Sequence, residues 1–318
     1  MSKREFALGG AVLVIMAVIV LFMATYPPMD TLAGATRFFT VVTTPRTRTP
    51  IPPTSLPPTP TPTGNTLAKG VTAFANIPDV MCRDVGLLDV QWIHSGWALR
   101  DCPFIDEAGY IQWFAGQRDL GPDLLIVWNE LDQPGPGGGW LVSPCSAAQQ
   151  WHDVIEPTYA NYTLIGPGMT VWARGWMPQF WTCYVNKYGH EPIMPYVNVH
   201  CYSTGPSGRN CLSEFAQAAA WTVQHNRKLV IGEYASLTKG NPYHCLPYGC
   251  SDCQTVQQGL AEAKRVLDGL KQLAGVVAVS WYNTRTPGDD GGAMDCNSPL
   301  VDTAGNLTAF GIFYRDWR

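Results

Sequence analysis

Eight apolar runs recur between residues 69 and 283, separated by polar, glycine-rich or helix-like stretches. They are KGVTAFAN (69–76), LLDVQWIHS (87–95), CPFI (102–105), DLLIVWNE (123–130), TLIGP (163–167), YVNVHCYS (196–203), KLVIGEYA (228–235) and GVVAVSWYN (275–283). Runs this short and this continuous read as strands covered on both faces. Between the later ones the spacing changes to a helical period. SAAQQWHDVIEPTYA (146–160) places Trp151, Ile155 and Tyr159 four apart behind Ser146 as N-cap. LSEFAQAAAWTVQHN (212–226) aligns Phe215, Ala219 and Val223, and TVQQGLAEAKRVLDGLKQLA (255–274) carries a leucine and valine stripe. Strands alternating with helices predict an α/β fold with a parallel sheet. Eight strands in about 250 residues predict a closed (β/α)8 barrel, a TIM barrel, over residues 67–318.

The first 66 residues follow a different pattern. Residues 6–26, FALGGAVLVIMAVIVLFMATY, hold no charge, and about 20 such residues span a bilayer as a helix. Lys3 and Arg4 precede the run, so residues 1–5 are expected in the cytoplasm and the rest outside. The competing reading is a cleaved signal peptide, which would release a secreted protein. The run is longer than a signal core and MATYPP has no small-x-small site, so an uncleaved single-pass anchor is expected. Residues 27–66 form a juxtamembrane segment and linker. Eight prolines between Pro45 and Pro62, mixed with Thr and Ser, predict an extended stalk that buries no core.

Charge and cysteine content narrow the chemistry of the outer domain. Five basic residues (Lys3, Arg4, Arg37, Arg46, Arg48) but only Glu5 and Asp30 among acids precede residue 67. Residues 67–318 are therefore more acidic than the chain's net −4. An acidic domain without a basic run is a poor nucleic-acid binder, and a neutral partner fits better. All ten cysteines lie beyond the anchor, as expected for disulfides in an oxidising exterior. His244, Cys245, Cys250 and Cys253 in HCLPYGCSDC offer a metal reading as well, but no second C-x-x-C or H-x3–5-H pair completes a zinc module. Disulfides are the expectation there.

Two of the predicted strands end in a carboxylate. LLIVWNE closes on Glu130 and KLVIGE on Glu233, the fourth and seventh strands by this count. In a parallel barrel both stand on the C-terminal rim, where active sites form. A carboxylic acid beside a carboxylate is what glycosidic bond cleavage requires. Other rim candidates follow: His200 and Tyr202 at the end of strand six, Trp281 at the end of strand eight, Trp92, His94 and Trp97 at the end of strand two, and Trp140 beyond strand four. The Tyr202 hydroxyl is expected to donate to Glu233 and keep it ionised. The indoles are expected to stack on sugar faces.

These residues resemble clan A glycoside hydrolases, retaining enzymes on the TIM barrel, and are most similar to family 128, β-1,3-glucanases on a compact barrel. That family's N-E-P-D acid/base segment is matched by NELD (129–132). Its A-V-H-W-Y strand is matched by NVHCY (198–202) and its T-E-F-A nucleophile strand by GEYA (232–235). The early W-Y strand is echoed by VQWIHSGW (90–97), and LVDTAGNLTAFGIFYRDW (300–317) is similar to the ending of many clan members. Leu131, Cys201, Gly232 and Tyr234 depart from the pattern. The resemblance implies Glu130 as acid/base, Glu233 as nucleophile and Asn129 as partner of the sugar 2-hydroxyl. It implies a neutral β-linked polysaccharide, foremost β-1,3-glucan, as substrate, no metal or organic cofactor, and a monomer. The alternative is a membrane-tethered carbohydrate-binding protein on the same barrel without catalysis.

Overall fold

The computed structural model describes residues 67–72, 83–95, 110–112, 124–133, 141–204, 209–238, 254–284, 299–302 and 304–318. The anchor, the stalk, Trp97, Trp140 and the 244–253 cysteine cluster lie outside them. No helix among the described residues is long and apolar enough to cross a membrane.

Eight parallel strands close into a barrel in chain order: β1 (Ala68–Thr72), β2 (Trp92–Ser95), β3 (Tyr110–Gln112), β4 (Leu124–Ile126), β5 (Thr163–Met169), β6 (Tyr196–Ser203), β7 (Lys228–Ser236) and β8 (Val276–Tyr282). The last pairs with the first over Ala68–Thr72. The third strand is a correction to the expectation of 102–105. It is Tyr110–Gln112, from the aromatic run YIQWF, and it pairs with β2 at Ile93–Ser95. The CPFI run itself lies outside the described residues.

The side-chain period of two divides each strand between two environments. Trp92, Ile126, Ile165, Val230 and Ala278 meet as one apolar layer contributed by five strands. The opposite faces join the helices in the main core, which includes Val71, Leu125, Val197, Ile231 and Val279. Above the apolar layer the inner face turns polar. Thr72 Oγ1 donates to the Gly232 carbonyl (3.0 Å) and lies 2.8 Å from Ser280 Oγ. That change from hydrocarbon to hydroxyls marks the floor of the rim.

Helices alternate with the later strands. α1 (Pro144–Gln150) starts at Ser143, whose hydroxyl accepts from Ser146 N–H, with Pro144 in the first turn. The cap is therefore three residues earlier than the pattern suggested, because Ser143 precedes a proline that fits only a first turn. The helix runs on as a π segment, Trp151–Ile155, and a final turn, Glu156–Thr158. α2 (Trp176–Tyr188) follows β5, α3 (Cys211–Gln224) follows β6 and α4 (Val256–Leu270) follows β7. Thr255 and Gln258 form a capping box on α4. α5 (Ala309–Asp316) follows β8. Among the described residues two disulfides tie the shell together: Cys145–Cys183 joins α1 to α2, and Cys201–Cys211 joins β6 to the start of α3.

Candidate active site

Glu130 does not sit on a regular strand. β4 ends at Ile126, and the chain continues extended through an Asn129–Gly168 bridge. Glu130 then takes left-handed backbone (φ 47°), unusual for a residue with a Cβ. The turn is pinned by Glu130 N–H to the Gly168 carbonyl (2.8 Å) and Gln133 N–H to the Glu130 carbonyl (3.0 Å). Strain of about 1–3 kcal/mol held at a side chain with chemistry is a common signature of a working site. Glu233 reaches the same place from inside β7. The register between β6 and β7 slips after Val199, so that His200 pairs with Glu233.

The two carboxylates and an imidazole converge. Glu130, His200 and Glu233 are all buried, and each offers one atom within 4.8 Å of the others. His200 Nδ1 lies 3.1 Å from Glu130 Oε1 and 3.6 Å from Glu233 Oε2. Gln133 Nε2 donates to Glu130 Oε2 (3.1 Å), and Tyr202 O–H donates to Glu233 Oε2. The imidazole fits because Gly168 has no Cβ: one there would stand 2.3 Å from His200 Nε2. Arg209 braces the rim from outside, pairing Glu214 and donating to the Thr170 and His200 carbonyls.

Burial dominates the electrostatics. Loss of water pushes the Glu130 carboxyl up to about 8, and the nearby Asp132 charge adds to that against Arg209 and the Gln133 hydrogen bond. Glu233 is pushed up less, to about 7: burial and the Glu130 charge raise it, while His200 and the Tyr202 hydroxyl hold it down. Both carboxyls are thus raised by burial, and Glu233 is the one that a phenol hydroxyl holds toward its ionised form. Burial lowers His200, which favours the neutral imidazole, and raises Tyr202 well above a free phenol, so its proton stays on oxygen.

The same three groups have the spacing of a cation site, and their chemistry argues against one. Gly232 N–H donates to Asn198 Oδ1 (2.9 Å), which leaves Asn198 Nδ2 facing His200 Nε2 at 3.3 Å. Nε2 then accepts and Nδ1 carries the hydrogen, so the nitrogen facing the carboxylates has no lone pair for a metal. A donor N–H facing two carboxyls fits proton transfer.

The other sequence candidates divide. Asn129 is half-buried beside Glu130, at the bridge to Gly168. His94 occupies the third position of β2, paired with Thr72 and Ile111. Two tryptophans are corrected. Trp92 opens β2 instead of closing it, lies in the apolar barrel layer and donates from its indole to the Ala68 carbonyl (3.0 Å). Trp281 is fully buried on the outer face against Tyr234, Phe310 and Tyr314, with ring centroids 5.4–5.6 Å away. Its place at the rim is taken by Tyr282, whose ring stands edge-on to Tyr202 at 5.6 Å. Sequence reasoning also passed over Gln133, Asn198 and Gly168. Asn198 was within reach, since a residue two before His200 on a strand shares its face.

Residues 101–314 match the family described as glycosyl hydrolase catalytic core. No curated protein matches the chain. Among solved structures it is similar to a family 128 subgroup III curdlan-specific exo-β-1,3-glucanase from Blastomyces gilchristii in complex with glucose, with 18% identity over 79% of this chain and 98% of that one, and a TM-score of 0.52. A subgroup I endo-β-1,3-glucanase from Amycolatopsis mediterranei in complex with laminaritriose gives 17% identity over 78% and 98%, with a TM-score of 0.56. A subgroup VII oligosaccharide-binding protein from Cryptococcus neoformans gives 15% over 80% and 97%, with a TM-score of 0.51. With a closed parallel barrel, two buried carboxyls on its rim and a family match over most of its length, the chain belongs to the glycosyl hydrolase catalytic core family.

Proposed function

We propose that the chain hydrolyses β-1,3-glucan with retention of configuration, using Glu233 as nucleophile and Glu130 as acid and then base. The observation that carries this reading is the spacing of the pair, with one oxygen of each within 4.8 Å of the other. Retaining enzymes place their carboxyl groups about 5–5.5 Å apart, whereas inverting enzymes need about 6.5–9.5 Å to admit a water between them. Glu233 attacks the anomeric carbon while protonated Glu130 gives its hydrogen to the leaving oxygen. The covalent bond removes the charge on Glu233, which lowers the pKa of Glu130 and turns it into the base that activates water. In this reading Asn129 meets the 2-hydroxyl of the sugar and Tyr282 borders it. The structural relatives that act on β-1,3-glucan support the choice of polymer.

The barrel also serves an oligosaccharide-binding protein among those relatives, so fold alone does not choose catalysis. The retained pair of buried carboxyls, close together on the rim, favours the enzyme. Residues 6–26 and the proline-rich stalk would hold the domain, as a monomer, at the outer face of a membrane. Retention of the full-length chain in membranes through an alkaline carbonate wash tests the anchor; release into the wash would remove it from the account.

The activity test incubates the purified full-length chain with β-1,3-glucan, mixed-linkage glucan, mannan and xylan and counts reducing ends. Release from β-1,3-glucan that falls about 10²–10⁴-fold in both Glu130→Ala and Glu233→Ala is expected. Binding of a glycan without cleavage, unchanged in either variant, would leave a tethered lectin-like barrel.

A further inference from the structure

His200 can serve the two carboxylates only in one of its two neutral forms, and that form is set by Asn198. A backbone N–H can only donate, so Gly232 N–H at 2.9 Å fixes which end of the Asn198 amide is oxygen. The other end, Nδ2, is a donor 3.3 Å from His200 Nε2. Two N–H groups cannot face each other there, so the imidazole hydrogen must sit on Nδ1, the atom between Glu130 and Glu233. Asn198 and His200 are both fully buried, so bulk solvent does not compete for this contact.

Two glycines make the arrangement possible. A Cβ on Gly232 would lie 2.3 Å from Asn198 Oδ1, and one on Gly168 would lie 2.3 Å from His200 Nε2. Asn198 and Gly232 are thus one steric unit.

We propose that Asn198 is a positioning residue: it locks His200 in the Nδ1–H form, so that one imidazole N–H serves whichever carboxylate is ionised during the reaction. Negative charge rests on Glu233 before the covalent bond forms and on Glu130 afterwards. A donor at 3.6 Å from one and 3.1 Å from the other follows that charge with little ring movement. In the opposite form, Nδ1 would present a lone pair to both carboxylates and strip the site of its shared donor. The catalytic consequence rests on the retaining-hydrolase reading; the tautomer does not.

The test is Asn198→Asp in the full-length chain, which keeps the volume and an acceptor for Gly232 N–H but places an acceptor opposite Nε2. Long-range ¹H–¹⁵N spectra of histidine-labelled protein, with His200→Gln to assign the signal, report which ring nitrogen is protonated. Nε2 unprotonated in the wild type and protonated in Asn198→Asp, with kcat/KM on β-1,3-glucan down about 10²–10⁴-fold, is the expected result. Asn198→Ala supplies a second reading should the Asp variant fail to fold, with both neutral forms populated. A His200 signal that keeps Nε2 unprotonated in the variants, or that is already protonated there in the wild type, overturns the proposal. A wild type that cuts no glucan but shows the switch would remove the hydrolase reading and leave the tautomer lock standing.

Discussion

Glu130 and Glu233 hold their protons more tightly in the folded chain than in water, and that has a consequence for stability as well as catalysis. A carboxyl whose folded pKa is raised stabilises the fold fully below its ordinary value, 4.5 here, and loses that contribution as pH rises through about 7 and 8. Glu130→Gln keeps the shape and removes one of these titrations. Its unfolding free energy should exceed that of the wild type by about 1–3 kcal/mol at pH 8 and match it near pH 4. Urea unfolding at the two pH values checks this; a variant less stable at both would mean that its lost hydrogen bonds outweigh the lost charge. Tyr202 acts in the other direction, since its hydroxyl stabilises ionised Glu233. Tyr202→Phe should move the acid limb of kcat/KM upward by about one pH unit and lower the maximum about 10–100-fold. An acid limb that stays in place would detach Tyr202 from the nucleophile.

At the scale of strands and helices, alternation decides which side chains reach the site. Trp281 and Tyr282 are neighbours in sequence, yet one packs against α5 and the other stands beside Tyr202. The apolar run GVVAVSWYN shows that a strand exists, but a run covered on both faces has no polar stripe to reveal its inner face. The choice was hidden for that reason. Trp92 was misplaced because the start of a strand inside LLDVQWIHS has no local signal; β2 begins only where its partner Gly70 admits the indole. His200 and Tyr202 were legible because two polar side chains at i and i+2 near a strand end share one face. Two further elements can be tested. Gly168→Ala should push His200 aside and cut kcat/KM at least about 10-fold, with a stability loss of about 1–3 kcal/mol, measured by steady-state kinetics and thermal melts. Removing the Cys201–Cys211 link by a double alanine substitution should cost about 2–4 kcal/mol of stability in a denaturant melt.

For the whole molecule, the barrel was the most legible feature. Seven of its strands fall within or overlap the apolar runs that announced them, and only β3 lies elsewhere. Repetition made this possible, because eight similar runs within one domain length admit few closed arrangements. What the runs do not contain is the third dimension of the site. The register slip that seats Glu233 opposite His200, the left-handed turn at Glu130 and the glycines beneath the imidazole arise from packing between strands distant in sequence. All of them serve one geometry, two buried carboxyls with an oxygen of each within 4.8 Å of the other. The most direct measurement of that geometry is ¹H NMR of the first product released from β-1,3-glucan by the full-length chain, taken before mutarotation. The β-anomer should appear first and the α-anomer only later. Initial release of the α-anomer would mean inversion, and would contradict the assignment of Glu233 as nucleophile.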